Sequence, residues 1–225
     1  MKSSEILLYL LRNNITVFTT GDIARITDKP LSYAKKIITK IPGIKRAEKG
    51  VYYLERASIY EVASNIVPFS YVSALSALKF YELTTQYPIV ISVMSPKKHR
   101  IVALPPYKIE FVMLKRSLIF GYVRRGNAFV AEPEKAFLDS LYLGRYSYID
   151  EALAKGIENE TISVSKLIKY AQQYKKKALL NKLGFFLERY AEVEASQIHS
   201  QISRAPVFLI GKAKNYDKKW RVYYG

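Results

Sequence analysis

Apolar residues recur with helical spacing through the first forty residues and then alternate with polar ones. A first helix is predicted over residues 3–13, a second begins at Thr20, and a third begins near Pro30, after a short turn. The apolar positions of the third helix are spaced i, i+3, i+4 and i+7, which predicts one buried stripe. That stripe consists of Ala34, Ile37, Ile38 and Ile41.

A β-hairpin is predicted over residues 44–54, directly after this third helix. Lys49 and Gly50 would form its tip, because a lysine-glycine pair between two apolar-polar runs is typical of a tight turn. A winged helix-turn-helix has this order of elements: two helices, a tight turn, a basic helix and a hairpin. We therefore predict such a domain over residues 1–56.

The face of the third helix opposite the stripe is rich in lysine and hydroxyl side chains. These groups can donate hydrogen bonds to phosphates and to base edges, which favours major-groove DNA binding. Basic residues of the hairpin would contact the flanking backbone or minor groove. The predicted DNA-binding residues are Ser32, Tyr33, Lys35, Lys36, Thr39 and Lys40 on the helix, and Lys45, Arg46 and Lys49 on the hairpin.

The remainder of the chain predicts a linking helix over residues 57–69 and a mixed α/β domain over residues 70–225, which makes the whole protein α+β. Proline-punctuated β-type runs lie between helical patterns in this second domain. Helices are predicted over 70–81, 133–142, 148–155, 163–174 and 175–190, and strands over 89–94, 100–104, 107–114, 207–210 and 221–224.

Charge indicates the kind of partner. The 225 residues include 36 lysines and arginines against 19 acidic residues, a net charge of +17, which favours a polyanion. No apolar run approaches the roughly 20 residues of a membrane span, and no signal peptide is recognisable. The chain has no cysteine, which fits a cytoplasmic protein and excludes disulfides and thiolate metal sites.

Basic residues also cluster outside the first domain, and we consider them a possible second nucleic-acid face. The same charges would serve DNA or RNA, so RNA stays open as a partner. The candidates are Lys97, Lys98, Arg100, Arg124 and Arg125.

The acidic residues Glu132, Glu134 and Asp139 are the best candidates for catalysis. Paired carboxylates can hold a metal for phosphodiester cleavage, but on a helix Glu134 and Asp139 point to different faces. His99 and His199 have no second ligand nearby in the sequence. We therefore expect no enzyme, metal or cofactor, and keep two alternatives: a metal-dependent nuclease or nucleic-acid-modifying enzyme, and an architectural DNA-binding protein.

Two tyrosine doublets close β-type runs. Tyr52 and Tyr53 lie in the hairpin, and Tyr223 and Tyr224 lie near the end of the chain. Tyrosines can stack on bases, but doublets in alternating runs are more often half-buried strand residues. We expect a structural role for them.

Several segments resemble the AbiEi antitoxin family, the predicted transcriptional regulators of viral defence systems. The resemblance covers most of the chain, although Glu82 stands where family members commonly have glycine and the last twenty residues have no counterpart. It rests on the N-terminal domain and on residues 71–78 with Leu83, Thr84 and Pro88, residues 131–139 and residues 182–188.

The resemblance implies a repressor that binds inverted repeats in its own promoter, as a monomer or a homodimer. It also implies that the second domain is the antitoxin of a type IV toxin-antitoxin system. Its target would be a nucleotidyltransferase-type toxin, opposed without a stable complex.

Overall fold

The computed structural model describes residues 1–211 and 213–225, and there it confirms an α+β protein, with ten α-helices and three β-sheets. The chain forms two compact units. Unit 1 comprises Met1–Val72, Ile89–Leu114 and Val123–Val130, and unit 2 comprises the remainder. We expected the second domain to begin at residue 70 and to include the rest of the chain. Two segments beyond that point belong to unit 1 instead.

The first 54 residues, the N-terminal module, contain three helices and a three-stranded antiparallel sheet of order β1-β3-β2. Thr19 caps the second helix, one residue before the predicted start. Its Oγ1 accepts a hydrogen bond from the Asp22 amide at 3.1 Å, and the Asp22 carboxylate accepts one from the Thr19 amide. The elements are α1 (Ser3–Arg12), β1 (Val17–Thr19), α2 (Thr20–Thr27), α3 (Leu31–Ile38), β2 (Ile44–Glu48) and β3 (Val51–Leu54).

The module has its own apolar core, built from the predicted helical stripes. Ile6 and Leu10 of α1 are fully buried, and Ala34 and Ile38 of α3 pack into the same cluster. Helical spacing also places Leu11 next to this buried face of α1, but its side chain is exposed. The apolar stripe of α1 is therefore narrower than its sequence suggests.

The rest of unit 1 is a six-stranded mixed sheet covered by one helix. Its strand order is β6-β7-β5-β4-β9-β8, with β5 parallel to β7 and β4 parallel to β9. The elements are α4 (Ile59–Asn65), β4 (Tyr71–Val72), β5 (Val90–Ser95), β6 (Val102–Leu104), β7 (Tyr107–Met113), β8 (Tyr122–Arg125) and β9 (Ala128–Ala131).

The helix predicted over residues 70–81 is wrong at its start. Tyr71 and Val72 form a fully buried strand that pairs with β5, and helix α5 (Ala74–Phe80) begins only after it. The cause is tertiary, because Val72 lies between β5 and β9 at the centre of the sheet. Pairing with two neighbours outweighs the local helical pattern.

Unit 2 is built around helix α6 (Pro133–Leu143), which packs against α5 and against three helices that follow it in the chain. Pro133 stands at the first position of α6, and Gly144 ends it in the left-handed conformation, with φ of +72°. The other helices are α7 (Ile149–Glu158), α8 (Val164–Gln173), α9 (Lys177–Leu187) and α10 (Glu192–Ser196). The ends of α7, α8 and α9 differ from prediction by up to three residues, and α10 was not predicted.

The end of the chain forms a small sheet on unit 2. The two predicted strands correspond to β10 (Val207–Phe208) and β12 (Val222–Tyr224), which pair in parallel. A strand that we did not predict, β11 (Asn215–Asp217), pairs with β12 from the other side.

The longest helices of the described residues, α6 and α9, have 11 residues each. None of the described helices combines the length and the apolar character needed to cross a membrane.

Gly184 allows α9 to approach Trp220, the single tryptophan of the chain. A Cβ atom at Gly184 would lie 2.0 Å from two ring carbons of Trp220. The indole is fully buried, and its Nε1 donates to Glu188, the residue that follows α9, at 2.9 Å. A side chain at position 184 would therefore displace the ring that anchors the C-terminal sheet.

We expect Gly184→Ala to lower the free energy of unfolding by about 1–3 kcal/mol, because overpacking displaces the ring. Alanine favours a helix by about 1 kcal/mol relative to glycine, and we expect the overpacking to outweigh that gain. Gly211→Ala is the matched control, since no atom lies within 4 Å of a Cβ there. Urea unfolding followed by circular dichroism measures both variants, and equal midpoints would contradict the close approach.

Candidate nucleic-acid interface

The outer face of α3 is exposed and basic, as its sequence predicts. Ala34 and Ile38 anchor the inner face in the core of the module. Ser32 is exposed on the outer face, and Lys35 and Lys36 are exposed about one helical turn after it. The described contacts include no ion pair to either lysine, so both charges are available to a ligand.

Two predicted DNA-binding hydroxyls already have partners within the chain. The Tyr33 hydroxyl donates to the Met1 carbonyl at 2.9 Å, and the ring is half-buried. The Thr39 hydroxyl donates to the Lys36 carbonyl at 2.9 Å. Thr39 and Lys40 follow the last residue of the helix, and both are exposed. The most accessible donors are therefore Ser32 and the lysines.

The hairpin forms with the predicted tip. Gly50 adopts φ of +85°, and a β-bulge lies between Arg46 and Glu48. Lys49 is exposed at the tip, whereas Lys45 pairs with Glu55 across the hairpin at 3.1 Å. The pair is exposed, so solvent screens it and a phosphate can compete for the lysine.

The hairpin is fixed to the six-stranded sheet by Glu48. One carboxylate oxygen lies 3.1 Å from His99 Nε2 and 3.6 Å from an Arg100 guanidinium nitrogen. His99 packs edge-on against Phe111 of β7, with ring centroids 4.7 Å apart. Val51 of the hairpin is buried in the same apolar cluster as this sheet. No local sequence pattern predicts this contact, because Glu48 and His99 are 51 residues apart in the chain.

The residues of the predicted second basic face fall into two groups, and both lie in unit 1. Lys97 and Lys98 are exposed in the loop that carries Arg100, beside Glu48. They therefore extend the basic surface of the hairpin rather than form a face on a separate domain.

The second group lies at the β8–β9 turn. Arg124 donates to the Gly126 carbonyl and to Asn127 Oδ1, both at 2.8 Å, while Arg125 is exposed. Asn127 in turn donates to the Asn14 carbonyl at 2.5 Å. Arg124 thus stabilises a turn that contacts the loop between α1 and β1. A polar cleft of about 300 Å³ lies there.

Two of the carboxylates considered for catalysis, Glu132 and Glu134, form ion pairs with Lys166. Glu132 accepts hydrogen bonds from Lys166 at 2.8 Å and from the Tyr170 hydroxyl at 2.6 Å. Burial and the bond to Glu132 raise the pKa of Tyr170 to about 12. Burial opposes the charge of Lys166, but Glu132 and Glu134 outweigh it and raise the pKa of that lysine.

Asp139 belongs to a separate, fully buried network. Lys135 Nζ donates to Asp139 at 2.5 Å, and the Tyr174 hydroxyl donates to the same oxygen at 2.6 Å. Ser73 donates to the other carboxylate oxygen at 2.7 Å. Burial lowers the pKa of Lys135, although the charge of Asp139 opposes that shift. Asp139 is therefore enclosed by three hydrogen-bond donors in the interior of unit 2, whereas Glu132 is bound by Lys166 and Tyr170.

The two histidines have structural contacts. His199 Nε2 lies 3.1 Å from the Lys219 carbonyl, and the ring packs edge-on against Trp220. Across residues 1–211 and 213–225, no three histidine or acidic side chains are grouped so that they could hold a metal ion.

Tyr52 and Tyr53 have the structural positions expected of them. Tyr52 stacks near Phe18 in the core of the module, and Tyr53 packs against the cluster of the six-stranded sheet. At the end of the chain, Tyr224 packs against Phe185 of α9, with ring centroids 4.9 Å apart.

No protein-family model matches the chain, and a search of curated proteins found no similar sequence.

We expect Asp139→Asn to lower the free energy of unfolding by about 3–5 kcal/mol, because it leaves the Lys135 charge buried without a counter-ion. The exposed Glu158→Gln in α7 is the control and should change stability by less than about 0.5 kcal/mol. Denaturant unfolding measures both. Full stability of Asp139→Asn would contradict the structural role and restore the nuclease alternative.

Proposed function

We propose that the N-terminal module is a winged helix-turn-helix and that the protein is a sequence-specific repressor of its own promoter, acting in the cytoplasm. Helix α3 enters the major groove, and the β2–β3 hairpin follows the flanking backbone. The proposal includes no catalytic step and no cofactor.

One observation carries this proposal. No acidic residue occurs between Asp28 and Glu48, the stretch that contains α3 and most of β2. Glu48 is turned toward His99 and Arg100, so its charge is compensated at the edge of this surface. A duplex approaching the module meets lysines, an arginine and hydroxyls, which suit phosphates and base edges.

The connectivity of the module supports the same assignment. The chain runs α1-β1-α2-α3-β2-β3, and β3 is the central strand of the sheet. The inner face of α3 is held by the module core, so its outer face is rigidly presented. A rigid helix with a basic outer face is what base reading requires.

We further propose antitoxin action as a second role, on the resemblance to AbiEi antitoxins. Two segments of that resemblance are joined by the hydrogen bond from Ser73 to Asp139. Glu82, which replaces the common glycine, has φ of +59°, a conformation that glycine adopts most readily. These residues would build the framework of a domain that opposes a nucleotidyltransferase-type toxin without a lasting complex.

The test is fluorescence anisotropy with the protein's own upstream duplex and a scrambled duplex, across a salt series. We expect a preference of about 10³ or more that persists near physiological salt. Lys36→Ala should cost about 1–3 kcal/mol on the upstream duplex and far less on the scrambled one. Lys49→Ala should weaken both equally and reduce the salt slope by about 1.

Lys169→Ala is the matched control, because this exposed lysine lies on α8 in unit 2. It should leave both affinities within about twofold of the unmodified chain. Equal affinity for the two duplexes at every salt concentration would overturn the repressor proposal and favour an architectural DNA-binding protein.

A further inference from the structure

Three aromatic side chains form a row across the C-terminal sheet. Tyr223 on the central strand is paired in register with Phe208 of β10 and with Tyr216 of β11. Side chains of directly paired residues lie on the same face of a sheet. Phe208 and Tyr223 are stacked at 4.6 Å with only 8° between their planes, and Tyr216 and Tyr223 are 4.5 Å apart.

This row faces away from the core of unit 2. Phe208 is 55% exposed and Tyr216 is 39% exposed. The opposite face of the sheet supplies the packing, because the neighbouring Val222 on β12 is fully buried, as is Trp220. Folding therefore does not require aromatic residues on the outer face, and their exposure there is informative.

Basic side chains accompany the row. Lys214 and Lys218 lie two residues before and after Tyr216, and both are exposed. In the part of the chain that the structure describes, neither lysine forms an ion pair. Lys219 differs, since it pairs with Glu188 and Glu192. The carboxylate of Asp217 on β11 accepts a hydrogen bond from the Trp220 amide at 2.7 Å.

We propose that this face binds single-stranded RNA, with bases stacked on the outer ring faces of Phe208 and Tyr216, with Tyr223 supporting both rings from between them, and with Lys214 and Lys218 holding the phosphates. Exposed rings beside unpaired cations are the combination that single-strand binding uses. The row spans about 10 Å, two strand spacings, and offers one free ring face at each end, which accommodates one base on Phe208 and one on Tyr216.

The chemistry of the surface favours an unpaired nucleic-acid strand over a duplex or a second copy of the chain. Bases of duplex DNA are stacked on one another and cannot reach the rings, whereas RNA loops expose unstacked bases. A second copy of this chain would bring lysines against lysines, which is unfavourable. This inference concerns unit 2 and does not depend on DNA binding by the N-terminal module.

The experiment measures binding of the full chain to a labelled 12-nucleotide single-stranded RNA of mixed sequence, with a DNA strand and an RNA duplex of the same sequence as comparisons. We expect tighter binding of the RNA strand than of the RNA duplex. Phe208→Ala and Tyr216→Ala should each weaken RNA-strand binding about tenfold. Tyr216→Phe keeps the ring and should retain affinity.

Tyr87→Ala is the control, because Tyr87 is an exposed aromatic residue of unit 2 outside the row. It should leave RNA affinity unchanged. Circular dichroism verifies that each variant is folded.

Three results would overturn the proposal. The first is unchanged RNA affinity in the folded Phe208→Ala and Tyr216→Ala variants. The second is binding of the DNA strand at least tenfold tighter than the RNA strand. The third is a dimer in sedimentation that the aromatic substitutions dissociate while RNA affinity stays the same.

Discussion

The burial of two opposite charges on one helix is the constraint on which unit 2 depends. Helix α6 is surrounded by other helices, yet it carries Lys135 and Asp139, both fully buried. Removing such ions from water costs several kcal/mol for each, unless partners are supplied in good geometry. Ser73 at the start of α5 and Tyr174 at the end of α8 supply them, so the positions of both helices are coupled to α6.

The N-terminal module was largely predictable because its determinants are local. The stripe of α3 and the turn at Lys49 and Gly50 lie within a few residues of the elements that they define. The prediction failed where pairing is distant. Tyr71 and Val72 read as helix, but their neighbours in the sheet lie more than twenty residues away on one side and more than fifty on the other.

Of the two candidate interfaces, one was predictable from local sequence and the other was not. Exposure of Ser32, Lys35 and Lys36 follows from helical periodicity and was predictable. The aromatic row was not, because its three rings come from strands whose pairing no local pattern reveals. The sequence pattern identifies Tyr223 only as part of a tyrosine doublet. Its neighbours Phe208 and Tyr216 are known only from the register of β10 and β11 against β12.

The attachment of the β2–β3 hairpin has a consequence for entropy. An isolated two-stranded hairpin is marginally stable and samples many conformations. Here Glu48 and Val51 join it to the six-stranded sheet, so its conformational freedom is lost when unit 1 folds. Little ordering is left to occur on contact with a ligand, and a preorganised surface binds more tightly for the same contacts.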